Sequence, residues 1–269
     1  MHRITAILLS ILVISPGLLQ PETRSRRFAP HVAPGVTSFT HTLRLADEKI
    51  WVHIYERPGS GLTFVNLHDN ENTSVEAAIQ IISRHGGRLV ELRHGRGRNV
   101  VIRRSGVMNS FDPNRMFSEK GLSRSLAYST AFSAANLALG TRFAAEVLNL
   151  IDYPVGEPLI AVHNNTQGKL TIRDFQDGGW YGRDTRDVNI SPGQDADDFF
   201  FTNSPGLYAA VVDLGYNAAL MADTPPDRGT LGCYINSIDG IYVNVETEHG
   251  HLKEQVAMLE DLQRLLTKR

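Results

Sequence analysis

The chain predicts an α/β fold, a three-layer sandwich in which helices cover both faces of a mixed, largely parallel central sheet. Apolar runs at residues 62–67, 158–162 and 241–245 are short, rich in β-branched or aromatic residues, and bounded by polar or glycine positions, as buried strands are. Helical patterns with start and stop signals alternate with such runs, and chains of that kind build sheets with helices packed on both sides. Polar residues also close several of the runs. They fall at the carboxyl ends of strands, where open α/β sheets place their sites.

Taken in order, alternation over residues 38–43 predicts a strand, and residues 50–55 its hairpin partner. Thr73-Ser74-Val75-Glu76 has the capping-box pattern and predicts a helix carrying Ala77, Ile81 and Ile82, stopped at Gly86-Gly87. Strands are expected at 88–92 and 99–103, then one long Ala- and Leu-rich helix over 123–150. Residues 174–203, rich in Gly and Asp, read as a surface loop walling a cleft; they lack the spacing of a calcium-binding EF-hand. Ser204-Pro205-Gly206 opens a further helix that Gly215 ends, 217–221 and 241–246 read as strands, and 251–266 as a final amphipathic helix.

With 269 residues and 42% hydrophobic content, the chain is long enough for one sizeable core, and nothing in it reads as a linker between two domains. Its 27 basic and 29 acidic residues argue against a nucleic-acid footprint. Arginines do cluster locally, at Arg84, Arg88, Arg93, Arg96, Arg98, Arg103, Arg104 and Arg115, as a solvated basic face or as the wall of an anion pocket. His2-Arg3 followed by the apolar residues 4–14 and then Pro16-Gly17 predicts a secretory signal over 1–20, too short to span a membrane, with an uncleaved N-terminal anchor as the alternative. Export to the periplasm or the extracellular space is therefore expected. A flexible segment is expected over 21–36 and a single domain over 37–269. Cys233 is the only cysteine, which excludes an intramolecular disulfide.

The most informative motif is His68-Asp69-Asn70-Glu71, an H-x-x-E element closing the first apolar run. An imidazole and a carboxylate three residues apart, where a strand breaks into a loop, can converge on one zinc ion. His163 ends the second run and offers a third ligand. Phe111-Asp112-Pro113-Asn114-Arg115 places an Asn-Arg pair after a turn, and Glu246 ends the third run. Each has a bland reading when taken singly. Asp-Pro-Asn is good turn chemistry, and a strand-end Glu is often solvated.

The order H-x-x-E, D-x-N-R, strand-His, strand-Glu resembles the zinc carboxypeptidase superfamily, including its succinylglutamate desuccinylase and aspartoacylase branch, over residues 60 to 250. The resemblance implies one zinc ion on His68, Glu71 and His163, a substrate carboxylate gripped by Asn114 and Arg115, and Glu246 as general base. Glu248 shares the face of Glu246 by strand alternation and is the alternative base. The arginine that polarises the scissile carbonyl is Arg98, Arg103 or Arg104, with Arg104 fitting best. The expected activity is zinc-dependent cleavage of an amide in a small peptide, such as a cell-wall peptide, bearing a free carboxylate. Deacylation of an N-acyl amino acid, and a metal- and carboxylate-binding protein without turnover, are the alternatives.

Overall fold

The structure is a computed structural model and describes residues 30–59, 61–95, 97–128, 133–153 and 156–267. The signal expected over 1–20, residues 21–29 of the expected flexible segment, and Arg96 lie outside the described residues. Residues 30–36 of that segment rest on the body of the protein. The His31 backbone N–H donates to Tyr55 Oη at 3.1 Å, and Ala33 and Val36 are partly buried against the core.

Among the described residues one nine-stranded sheet runs in the order β1-β2-β4-β3-β7-β11-β9-β10-β8. Its strands are β1 (Thr37–Leu45), β2 (Glu48–Arg57), β3 (Leu62–Asn66), β4 (Gly87–Arg93), β7 (Pro158–Asn165), β8 (Thr185–Asn189), β9 (Phe199–Thr202), β10 (Ala218–Met221) and β11 (Ile241–Glu248). The four central strands β4, β3, β7 and β11 are mutually parallel; β2 and β1 extend the sheet antiparallel on one side, and on the other β9 joins β11 antiparallel, β10 joins β9 parallel and β8 joins β10 antiparallel. This is the mixed, largely parallel sheet that the alternation of elements predicts. A separate antiparallel hairpin, β5 (Val100–Arg104) and β6 (Val107–Phe111), packs beside it.

Helices cover both faces. On one side lie α1 (Asn72–His85), α4 (Pro205–Asp213) and α6 (Leu252–Thr267), and on the other α2 (Glu119–Ala127), α3 (Ala134–Ile151) and α5 (Leu231–Ser237). Strand alternation feeds the two layers. Leu62 and Phe64 of β3, Ile160 and Val162 of β7, and Val243 and Val245 of β11 pack toward α1, α4 and α6. Val65, Leu159, Ala161 and Tyr242 pack the opposite way. Each fully buried Leu, Ile, Val or Phe of these layers contributes about 1.5–3 kcal/mol relative to exposure.

Three expectations are corrected. The helix expected over 123–150 is two helices, because Ser118 and Ser133 each act as an N-cap, their hydroxyls accepting from Gly121 N and Asn136 N. The Asp-rich stretch 174–203 is not all loop, since Phe199-Phe200-Phe201 forms β9 and residues 185–189 form β8. The capping box at Thr73 is not used. Helix α1 starts two residues earlier, with Glu71 at its N-cap position and no cap from its own side chain.

The start of β3 meets the start of β4 at glycine on glycine: a Cβ added to Gly61 would stand 1.9 Å from Gly87 Cα, and Gly87 itself has φ 121°. No side chain fits there. Gly61→Ala is expected to cost about 1–3 kcal/mol or more, read as a fall in the denaturant midpoint with an unchanged slope. A midpoint within error of the original chain would show that the two strand starts can separate freely.

Candidate metal centre and cleft

Strands β3, β7 and β11 are neighbours, or one strand apart, and end at the same edge of the sheet. His68 follows the end of β3 after one residue, Leu67, His163 is the sixth residue of β7, and Glu246 is its direct partner across the β7–β11 pair. A cleft of about 540 Å³ opens at this edge and is lined by His68, Glu71, His163, Glu246, Asn114 and Arg115, among others. The residues expected to hold metal, to grip a carboxylate and to act as base thus share one cavity.

The donor atoms converge. Among the described residues, ligand atoms of His68, Glu71 and His163 lie within 4.8 Å of one another, and all three residues are buried. His68 Nδ1 is 2.8 Å from Glu71 Oε1, His163 Nδ1 is 2.8 Å from Glu71 Oε2, and the two Nδ1 atoms are 3.2 Å apart. Tetrahedral donors about 2.0–2.1 Å from a zinc ion stand about 3.3 Å from each other, so the set has the spacing and the N, N, O chemistry of a zinc site with room for a further ligand. Two buried imidazole nitrogens that face each other beside a carboxylate need a shared proton or a cation. The residues present fit the metal.

Electrostatics point the same way. Burial pulls the His68 imidazole down, but the Glu71 charge and hydrogen bonds to Asp112 and Glu71 outweigh it and carry its pKa up to about 9. Burial disfavours the Glu71 charge, yet His68 and His163 hold its carboxyl well below the usual range. Glu246 is 5% exposed, and its burial pushes its pKa up to about 7, opposed by His163 and reinforced by the Glu71 charge.

A buried polar network holds the ligands from behind. Asn164, the neighbour of His163, turns to the other face of β7, where its Oδ1 accepts from Ser74 N in the first turn of α1. It supplies the cap that Glu71 does not. Asn164 Nδ2 donates to Gln255 Oε1 at 3.0 Å, and Gln255 Nε2 donates to the His163 carbonyl at 3.0 Å. Ser74 Oγ donates to the Glu71 carbonyl at 2.7 Å. The backbones of two ligands are therefore fixed by groups on α1 and α6, as the outer partners of metal sites commonly are.

Asp112 is the functional residue that sequence reasoning passed over. Its Oδ1 stands 2.8 Å from His68 Nε2, so it orients the ring and leaves Nδ1 for the centre, and it also accepts from Asn114 N to cap the turn Pro113–Arg115. Asp69, next to His68 in the chain, does not bond to it but binds the backbone N–H groups of His94 and Gly95 and pairs with Arg93. The signal for Asp112 was present as the first residue of D-x-N-R.

Leu231 N donates to Asn114 Oδ1 at 2.9 Å, which leaves the Asn114 Nδ2 donors for the cleft. Arg115 Nη2 donates to Tyr181 Oη at 3.2 Å, while its Nη1 is buried with no partner among the described residues. Tyr181 is stacked on Phe175, with Arg228 over its other face. Arg104 is corrected: it lies on the β5–β6 hairpin, in a separate depression with Ala46, Asp47 and Arg142. Arg98 occupies the cleft instead, bonded to Glu71 at 3.0 Å and to Asp112 at 3.3 Å. Glu248 stands one face-repeat beyond Glu246, toward His251 and Asp195, and is not among the residues lining the cleft. Of the other clustered arginines, Arg84, Arg88 and Arg103 are spread over separate ion pairs with Glu260, Glu56 and Glu48.

No family model matches the chain, and no curated protein matches its sequence. Among solved structures the chain is similar to the succinylglutamate desuccinylase from Chromobacterium violaceum, at 13% identity and a TM-score of 0.46 over 81% of this chain and 67% of that one. It is also similar to the murein-tripeptide amidase MpaA from Escherichia coli O157, at 13% identity and a TM-score of 0.46 over 91% of this chain and 97% of that one.

Because His68 carries its proton up to about pH 9, metal must displace that proton at neutral pH. Zinc binding at pH 7 is expected to release about one proton, and the apparent affinity to rise about tenfold per pH unit up to about pH 9 and then level. Calorimetric titration in buffers of different ionisation enthalpy measures both. An affinity that stays flat from pH 6 to 8 would show that the imidazole is already neutral.

Proposed function

We propose that the protein is a zinc-dependent hydrolase of an amide bond in a small peptide or N-acyl amino acid bearing a free carboxylate. One observation carries the reading. Glu246 stands in register beside His163, in the same cleft as the Asn114 and Arg115 donors. A metal-binding module needs no buried carboxylate poised near neutrality next to its ligands. An exported address, with cell-wall peptides as substrates, belongs to the same proposal and rests on the apolar run over residues 4–14.

His68, Glu71 and His163 would hold the ion, which when bound supplies Lewis acidity toward water and the scissile carbonyl. Glu246, with its pKa near 7, is matched to taking a proton from water and returning it to the leaving nitrogen at neutral pH. Asn244 Nδ2 donates to Glu246 Oε2 at 3.2 Å and fixes which way that carboxylate faces. Arg115 offers the buried Nη1 donor and Asn114 its amide donors to the substrate carboxylate, so an anion ends the chain on that side. Arg98 takes the carbonyl-side position that the sequence assigned to Arg104, its guanidinium lying beside the ligand carboxylate.

Purified protein should carry one zinc equivalent and hydrolyse members of a screen of acyl amino acids and short peptides. Glu246→Gln is expected to keep zinc content and lower turnover by roughly 10² to 10⁴, with Glu248→Gln doing much less. The reverse ranking would move the base to Glu248. Arg115→Ala is expected to weaken substrates with a free carboxylate by about 2–5 kcal/mol and their amidated counterparts far less, measured as kcat/KM for matched pairs. Equal losses would make Arg115 structural.

A further inference from the structure

Among the described residues, four buried polar atoms without a partner belong to side chains that line the cleft: Arg115 Nη1, His163 Nε2, Asn165 Oδ1 and Asn244 Oδ1. Arg115 belongs to the carboxylate grip and His163, through its other ring nitrogen, to the candidate metal centre, while Asn165 is the last residue of β7, two beyond His163. Asn244 Oδ1 belongs to neither. A buried carbonyl oxygen without a donor is rare in a folded protein and calls for a ligand that supplies one.

The position of Asn244 is set by register. It lies two residues before Glu246 on the same face of β11, about 6.8 Å along the strand, opposite Ala161 of β7 and Phe201 of β9. Its Nδ2 is held by Glu246 Oε2, so its Oδ1 is turned away from that carboxylate. Tyr242, the next residue on this face, packs its ring against Gly232 at the start of α5, and the neighbouring Leu231 N holds Asn114. The carboxylate grip therefore stands over the Tyr242–Asn244 end of the floor. Around it the walls are apolar, with Phe201, Met221 and Tyr242 lining the same space. A hydrocarbon stem would pack there, and a donor at its tip would complete Asn244.

We propose that the carboxylate-bearing half of the substrate is an amino acid whose side chain ends in a hydrogen-bond donor, an amine or a carboxamide, and that Asn244 Oδ1 accepts that bond. This rests on the reading of Asn114 and Arg115 as the carboxylate grip. The chemistry is recognition by a single neutral acceptor at the end of an apolar slot. It disfavours an acidic tip, which would set a carboxylate against a carbonyl oxygen, and leaves an aliphatic tip with the acceptor unpaired.

Calorimetric titration of the zinc-loaded protein with free L-glutamine, L-lysine, L-methionine, L-norleucine and L-glutamate tests the rule without requiring turnover. Glutamine and lysine are expected to bind at least about tenfold more tightly than methionine and norleucine, the factor carried by one well-made hydrogen bond. Glutamate should bind most weakly. In Asn244→Leu the glutamine-to-methionine ratio should fall to about one. In Asn244→Asp, lysine should gain over glutamine, and this second variant decides the matter if the leucine protein does not fold. Methionine binding as tightly as glutamine in the original chain, or a preference that survives Asn244→Leu, overturns the proposal. The N-acetyl derivatives of the same amino acids, assayed for hydrolysis, test the activity separately: binding that follows the rule without cleavage removes the hydrolase and keeps the donor rule, whereas cleavage without the preference does the opposite.

Discussion

Everything at this site depends on three parallel strands ending at one edge. Parallel pairing of β3 with β7 and of β7 with β11 brings residues about 100 and 180 positions apart in the chain to neighbouring strand ends. The register of the β7–β11 pair, Glu246 opposite His163, decides that the carboxylate faces the same side as the imidazole. A slip of one residue would turn Glu246 into the opposite layer and bring Val245 or Thr247 into its place. The alternation of buried residues into two hydrophobic layers resists that slip, because Val243 and Val245 would have to exchange sides with Tyr242 and Asn244.

Holding the ligands is a task for the layer behind the sheet. Glu71 sits at the N-cap position of α1 but turns its side chain to His68 and His163 at the candidate metal centre, so the helix start needs an acceptor from elsewhere. Asn164 provides it from β7, and Gln255 of α6 ties the same amide to the carbonyl of His163. Because these groups are buried and mutually satisfied, the network is stiff, and removing one member strands the others. The position of the candidate ligands is thereby coupled to the packing of α1 against α6.

Charge is balanced locally. Glu71 and Asp112 sit against His68, His163 and Arg98, which keeps both carboxylates ionised despite burial. Glu246 shares the cleft with Glu71, and burial, reinforced by that like charge, raises its carboxyl toward neutrality. Paired carboxyls whose surroundings push their pKa values apart are a common arrangement for dividing binding from proton transfer.

The strands that carry the site were legible because their apolar runs are short and uniform and end in chemistry-bearing residues: residues 62–67, 158–163 and 241–246 are β3, β7 and β11 within a residue or two. The spacing of His68 and Glu71 is local, so the sequence by itself determined that pair, and the order of the remaining motifs named His163, Asn114, Arg115 and Glu246. Only the tertiary structure decided which arginine enters the cleft. Arg104 fits the motif order better than Arg98, but the β5–β6 hairpin carries Arg104 away while the loop before it carries Arg98 in. Asp112 as the partner of His68, Asn164 as the cap of α1 and Asn244 on the cleft floor were hidden for the same reason. Each makes its decisive contact with a residue far away in the chain or through an atom left unpaired, and a linear pattern records neither.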